Sequence, residues 1–280
     1  MDYNRIVEDV IMEHQVFPID IMGIGDATGE FKYLHSLRES YVRTIRDVDL
    51  FYAKDRENRN ILEIGSYLGA VSVSLKRLGY NISALDIPEF FQSPTLRKLY
   101  ERNNIPFVGL NLKSVQLPFN SASLDAVILC EVLEHLNFNP LPVIKEIHRV
   151  LKEDGIFYLA LPNHANVVNR IKLLMGRSIH NPIEDYFRQL DKKCNMIVGL
   201  HWREYTRFEI EQLLVRTGFK IDRQYYFSAS EYGPISGGKQ VLSFLKRILY
   251  CYPPFRPHHV VIARKTTAPA LDFYFTEANF

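Results

Sequence analysis

The stretch Asn60-Ile-Leu-Glu-Ile-Gly-Ser-Tyr-Leu-Gly69 limits the folds open to this chain more than any other. An apolar run that ends in an acid and two glycines, then passes into apolar residues at helical spacing, reads as strand, tight turn and helix. Glycine at such a corner admits left-handed backbone angles and lets a ligand approach the main chain where a Cβ would stand. The turn is therefore a nucleotide-binding candidate. Glu-x-Gly-x-x-x-Gly is short and lacks a middle glycine, so its neighbours must decide.

Those neighbours alternate between strand and helix. A helix from about Gly69 to Leu78 leads to a strand over Asn81 to Asp86, a helix over Thr95 to Asn103 and a short strand over Ile105 to Asn111. Leu124 to Cys130, Ile156 to Leu161, Phe219 to Phe227 and His258 to Arg264 read as four more strands. Helices over Pro140 to Leu151, Thr206 to Gly218 and Lys239 to Tyr250 separate them. This alternation predicts an α/β fold, doubly wound, with a mostly parallel sheet between helices, and the all-apolar Ile156-Phe-Tyr-Leu-Ala-Leu161 suits a strand buried on both faces. Asp86 ends the second strand about 20 residues past the glycine turn, where a carboxylate can accept hydrogen bonds from both hydroxyls of a ribose.

Residues 1–58 read as an N-terminal helical cap, Asp2 to His14 and Phe31 to Tyr52 around a bend from Pro18 to Gly29. Tyr33, His35 and Tyr41 are its candidates for ligand contact. Residues 59–265 form the α/β domain, and 266–280 a tail. From about 164 to 200 the rhythm breaks, with a basic helix from Val167 to Met175 and a link at Asn181-Pro182. An insertion there lies above the C-terminal ends of the strands, where open α/β sheets bind ligands, and is expected to be a substrate lid.

A chain of 280 residues, 47% of them hydrophobic, can bury one large core with elaborations. Lys and Arg total 34 against 32 acids, and the net charge of +2 lacks the broad basic footprint of a nucleic-acid binder. Cys130, Cys194 and Cys251 are odd in number and far apart, which points to a reducing compartment. The N-terminus shows no apolar signal core and no run approaches the ~20 apolar residues of a membrane span, so a cytoplasmic location is expected. Val241 to Tyr250 is amphipathic with Lys246 and Arg247 together, which offers a peripheral membrane contact against the plainer reading that it packs on the sheet. The oligomeric state is left open.

Taken in order, Glu63-Ile-Gly65-Ser-Tyr-Leu-Gly69, Leu85-Asp86, Asn111-Leu112 before Leu117-Pro-Phe119, Asp125-Ala-Val-Ile-Leu-Cys-Glu131-Val-Leu-Glu134-His135, and Val150-Leu-Lys-Glu-Asp-Gly155 leading to Leu161-Pro-Asn163 form a specific set. Over residues 59–265 it resembles the class I S-adenosylmethionine-dependent methyltransferases, in the type 11-like small-molecule branch. The resemblance implies a Rossmann-like seven-stranded sheet, mostly parallel with the last strand antiparallel, and S-adenosyl-L-methionine as cofactor. It implies Gly65 and Gly69 beneath the methionine part, with Ser66 and Tyr67 in the same turn, and Glu63 supporting that loop or the cofactor amine. Asp86 would hold the ribose, Asn111 would stand near the adenine, and Ile87, Leu112 and Cys130 join them as cofactor contacts. Asn111 replaces the family's usual Asp, and Tyr67 replaces a glycine, placing a ring close to the cofactor path.

Methyl transfer requires the acceptor to line up behind the methyl carbon, so positioning and exclusion of water matter. An oxygen acceptor also gains from a general base. The catalytic candidates are His164, directly after the fifth strand, His201, beside Trp202 and Tyr205, and Glu131, at the end of the fourth strand; His135 is read as structural. Glu131, Glu134 and His135 fall at i, i+3 and i+4, one helical face. With a downstream histidine, His201 or His164, they look like the metal-ligand set of small-RNA 3′-terminal 2′-O-methyltransferases. The charge balance speaks against RNA, and no metal is assigned. Leu129-Cys-Glu131-Val stands where amide and amine methylators carry Asn/Asp-Pro-Pro-aromatic, which favours oxygen. The expected activity is O-methylation of a small molecule or glycan precursor, glycans ahead of quinone or polyketide-like rings. Its rivals are a catalytically silent cofactor-binding module docked through the N-terminal helices, a metal-assisted RNA 2′-O-methyltransferase, and a nicotinamide dehydrogenase, whose Gly-x-Gly-x-x-Gly is missing here.

Overall fold

A computed structural model describes residues 1–21, 23, 25–114, 116–190, 199–228 and 247–266. Seven strands make one sheet in the order β3-β2-β1-β4-β5-β7-β6. β1 (Asn60–Ile64), β2 (Asn81–Asp86), β3 (Phe107–Gly109), β4 (Leu124–Cys130) and β5 (Leu151–Pro162) run parallel. β7 (His258–Lys265) runs antiparallel to both β5 and β6 (Phe219–Phe227). The strand order reverses between β1 and β4, and such a switch point opens a crevice beyond the strands' carboxyl ends.

Successive side chains of a strand point to opposite faces, and this sorts the core into two layers. Ile61, Ala84, Ile128 and Tyr158 pack beneath α4 (Ala70–Arg77), α5 (Pro94–Arg102) and the N-terminal helices α1 (Tyr3–Val16) and α3 (Arg38–Tyr52). Leu62, Leu85, Leu129 and Leu159 pack beneath α6 (Leu141–Val150) and α9 (Arg207–Arg216). Fully buried Asp47 and Asp49 anchor the cap. Asp49 accepts hydrogen bonds from Tyr3 Oη at 2.8 Å, Tyr80 Oη at 2.7 Å and Arg56 Nε at 2.6 Å, which fastens α1 and α3 to the start of β2.

Three elements depart from the sequence reading. The single helix expected over Phe31 to Tyr52 is two, α2 (Thr28–Ser36) and α3, parted at Leu37, whose φ of −101° and ψ of 7° leave the helical region. Apolar spacing continues through the break and neither Gly nor Pro marks it. The fifth strand, expected over Ile156 to Leu161, begins at Leu151 and takes in Lys152-Glu-Asp-Gly155 as an irregularity against β4. The third strand shrinks to three residues. The capping box at Thr206 is present, with Thr206 Oγ1 accepting from Glu209 N at 3.3 Å and Glu209 Oε2 accepting from Thr206 N at 2.8 Å.

The inserted segment carries α7 (Val167–Leu174) and α8 (Ile183–Leu190). Cys194, residues 239–246 of the expected last helix, most of the proposed membrane-contacting stretch, and the tail from 267 onward lie outside the described residues. Among the described residues no helix is long and apolar enough to cross a membrane.

Candidate active site

A cavity of about 510 Å³ opens at the carboxyl ends of β1, β2 and β4. Every expected cofactor residue except Gly69 lines it: Glu63, Gly65, Ser66, Tyr67, Asp86, Ile87, Asn111, Leu112 and Cys130. Gly69 acts at the corner instead. Its φ is +75°, and a Cβ there would stand 2.8 Å from Leu99 Cδ2 and 3.3 Å from Tyr100 Oη. Gly65, at φ +79°, is more tightly constrained, since a Cβ would fall 2.1 Å from Val132 Cγ2. Gly65→Ala must bear a left-handed L-residue, about 1–2 kcal/mol, and also displace Val132. Denaturant unfolding should show a loss of roughly 2–4 kcal/mol; an unchanged midpoint would mean that the turn is not held this way.

Tyr67 stands in the left-handed region, with φ +38°. Its ring leaves the turn sideways, edge-on to Tyr33 of α2 at a centroid distance of 5.4 Å and against Phe90 at 5.0 Å. The substitution therefore builds cavity wall. Its backbone N donates to Asp86 Oδ2 at 2.7 Å, and Ile87 N donates to Asp86 Oδ1 at 2.8 Å. Each Asp86 oxygen thus keeps lone-pair capacity for a ligand.

Burial pushes the Asp86 carboxyl up to about 6, against the two backbone hydrogen bonds that favour its ionised form. Burial likewise pushes Glu63 up to about 8, opposed by the Ser72 hydroxyl that donates to it and reinforced by the charge of Asp86. A protonated Asp86 loses acceptor capacity, so a ligand that needs both oxygens binds the ionised form. Cofactor affinity is expected to fall about tenfold from about pH 7.5 to about pH 5, and Asp86→Asn should flatten that slope. A slope that persists in Asp86→Asn assigns the titration to another group.

The three catalytic candidates do not converge. Glu131, at φ +53°, lines the 510 Å³ cavity. His164 and His201 line a neighbouring cavity of about 230 Å³ with Lys172, His180, Asn181 and Glu204. The cause lies at the end of β5, where Asn163 bridges to Tyr205 and its side-chain amide donates to Pro254 O and Arg256 O. The chain then turns beneath residues 199–205, and His164 N donates to Tyr205 O at 3.2 Å. His201 lies nearby with Nδ1 3.0 Å from Glu204 Oε1, and its ring meets His135 edge-on at 4.8 Å. Burial works against a protonated His201, yet the bond to Glu204 and the nearby carboxylates hold its pKa above the ordinary value. Burial lowers His135 to about 4 and raises both Glu131 and Glu134.

Of the N-terminal candidates, Tyr33 and Tyr41 line the larger cavity, while His35 packs on Phe31 instead. Leu37, Thr44, Phe90, Gln189, Trp202 and Phe227 also line it and were not singled out as ligand contacts by sequence. Trp202, next to His201, was the one among them with a signal to read.

Residues 62–159 match the family model for a methyltransferase domain. The chain is 24% identical over 186 residues to the ubiquinone biosynthesis O-methyltransferase of Colwellia psychrerythraea, covering 64% of this chain and 75% of that protein. It is 29% identical over 142 residues to the protein of the same name from Xanthomonas oryzae pv. oryzae, covering 49% of this chain and 55%, about half, of that one. A solved S-adenosylmethionine-dependent methyltransferase from Archaeoglobus fulgidus shares the fold, with a TM-score of 0.53 at 16% identity over 84% of this chain and 99% of that one. The seven-stranded sheet with its antiparallel β7 and the cavity over the β1 turn define a Rossmann-like transferase architecture. The matched methyltransferase domain and the methyltransferase relatives support a class I S-adenosylmethionine-dependent methyltransferase with S-adenosylmethionine as cofactor.

Proposed function

We propose that this enzyme methylates a hydroxyl oxygen of a small, ring-bearing acceptor. The observation that carries the reading is that Glu131 lines the same cavity as Asp86 and Glu63. One cavity thus offers a cofactor end and, beyond it, a buried base for an acceptor. Asp86 would hold the ribose through both oxygens, Gly65 would admit the methionine part, and Asn111 would stand near the adenine. The cofactor supplies an electrophilic methyl group. Glu131 would take the proton of the acceptor hydroxyl, and its burial makes the carboxylate a stronger base than one in water.

Tyr33, Tyr41, Trp202 and Phe227 give the cavity aromatic faces, which suit a flat ring. The names of the Colwellia and Xanthomonas relatives agree with oxygen as the acceptor atom and with a ring ahead of a glycan. In this reading residues 59–265 are the catalytic domain, and the helices of residues 1–58 close the cavity together with Gln189 and Leu200 of the insertion at 164–200.

Transfer of labelled methyl from S-adenosylmethionine to a panel of phenols, catechols, sugars and amines tests the proposal. Methyl ethers of aromatic hydroxyls are expected. Labelled products confined to amines would overturn the oxygen assignment, and labelled sugars alone would overturn the ring.

A further inference from the structure

Between the two cavities, three side chains face one another with their bonding capacity unspent. One ligand atom each from Glu134, His135 and His201 lies within 4.8 Å of the other two. Glu134 has no solvent exposure, and among the described residues neither of its carboxyl oxygens has a hydrogen-bond partner. Its neighbour Glu131 comes within reach of it, and two buried carboxyls so placed cannot both be ionised at little cost. A buried carboxylate left in that condition is costly unless something else satisfies it.

The two rings are prepared for the same task. His135 Nδ1 lies 3.0 Å from the carbonyl oxygen of Leu200, which only accepts, so that nitrogen carries the ring proton. Its Nε2 keeps a lone pair and stands 3.9 Å from Glu134 Oε1. His201 Nδ1 meets Glu204 Oε1 in the same manner, which leaves its Nε2 for another partner. A ring nitrogen tied to a carboxylate or a backbone carbonyl is the arrangement that orients metal-ligating histidines and raises their basicity. Glu204 is held in turn by Asn169 Nδ2 at 3.1 Å. With Glu134 ionised and both rings neutral the set has no donor of its own, and one shared cation would satisfy all three.

We propose that Glu134, His135 and His201 hold one divalent transition-metal cation at the edge of the larger cavity, with an open coordination position for the hydroxyl oxygen of the acceptor. Two imidazoles and one carboxylate suit zinc, cobalt or manganese better than magnesium or calcium. His135 lines the larger cavity and His201 the smaller, which places the cation where an acceptor in the larger one can reach it. The acceptor's part in this rests on the O-methylation reading; the cation site itself does not. The competing arrangement is a protonated His201 shared between Glu134 and Glu204, which needs no metal.

The test is a Co²⁺ titration of the full chain after chelator treatment, read by visible absorption and by Zn²⁺ competition. A Cys251→Ser background removes the exposed thiol as a stray ligand. One equivalent of Co²⁺ is expected, displaced by Zn²⁺. His135→Ala and His201→Ala should each weaken binding about 100-fold or more, and Glu204→Gln about 10–100-fold. Affinity for S-adenosylhomocysteine should stay within about threefold of the parent in each variant, which shows that the cavity is still folded. Absence of stoichiometric Co²⁺ in the parent, or unchanged Co²⁺ affinity in His201→Ala, overturns the site. Turnover of a hydroxylated acceptor that survives chelation would overturn the cation's part in the reaction and leave O-methylation standing. Stoichiometric Co²⁺ lost in the variants, with methyl transfer only to amines, would do the reverse.

Discussion

Glu131→Gln is expected to lower methyl transfer to a hydroxyl acceptor by about 10²–10⁴-fold, while affinity for S-adenosylmethionine stays within about threefold of the wild type. Glutamine keeps the size of the side chain and can still hydrogen-bond, but it cannot take a proton. Glu131 also sits at φ +53°, and its backbone N donates to Ala160 O at 2.9 Å, so the last turn of β4 is held in a conformation that L-residues seldom adopt. Such strain persists where the surrounding structure enforces it and often accompanies function. Single-turnover transfer from labelled cofactor, with calorimetry on the same samples, separates the two effects. Undiminished transfer would remove Glu131 as the base, and a parallel loss of cofactor affinity would make it a cofactor contact.

The second large effect concerns Asp86. Asp86→Ala should weaken S-adenosylmethionine binding roughly 100-fold, since two charge-assisted hydrogen bonds contribute about 1.5–3 kcal/mol each and part of that is recovered by water. The substitution also strips the acceptors from Tyr67 N and Ile87 N, so it should lower stability by about 1–3 kcal/mol. Asp86→Asn keeps one acceptor oxygen and should fall between wild type and Ala in both respects. Calorimetry and denaturant unfolding on the pair read the two quantities apart. Equal affinity across wild type, Asn and Ala would take Asp86 out of the site.

The cavity wall at β1 and β2 was legible in the sequence because its side chains sit where strands end, and strand ends are marked by local pattern. Ile61 to Ile64 and Asn81 to Leu85 alternate between the two core layers, and Gly65 and Asp86 follow them directly. The rest of the cavity wall was not legible to the same degree. It is built from α2, α3, α8 and residues 199–205, whose positions depend on packing rather than on spacing. Leu37 breaks a helix with no breaker residue. His135 and His201 meet ring to ring where Trp202 N and Arg203 N both donate to the carbonyl oxygen of Glu134 and His135 Nδ1 meets Leu200 O. His164 shows the converse, since its place directly after β5 suggested a base or substrate contact, and beside the Asn163–Tyr205 bridge it lines the neighbouring cavity instead.

The most direct measurement is calorimetric titration of the full chain with S-adenosylhomocysteine and, separately, with NAD⁺. One site for S-adenosylhomocysteine with micromolar or tighter affinity is expected, strongly weakened in Asp86→Ala, with no comparable heat from NAD⁺. Tight NAD⁺ binding, or no binding of S-adenosylhomocysteine to a folded chain, would contradict the cofactor assignment.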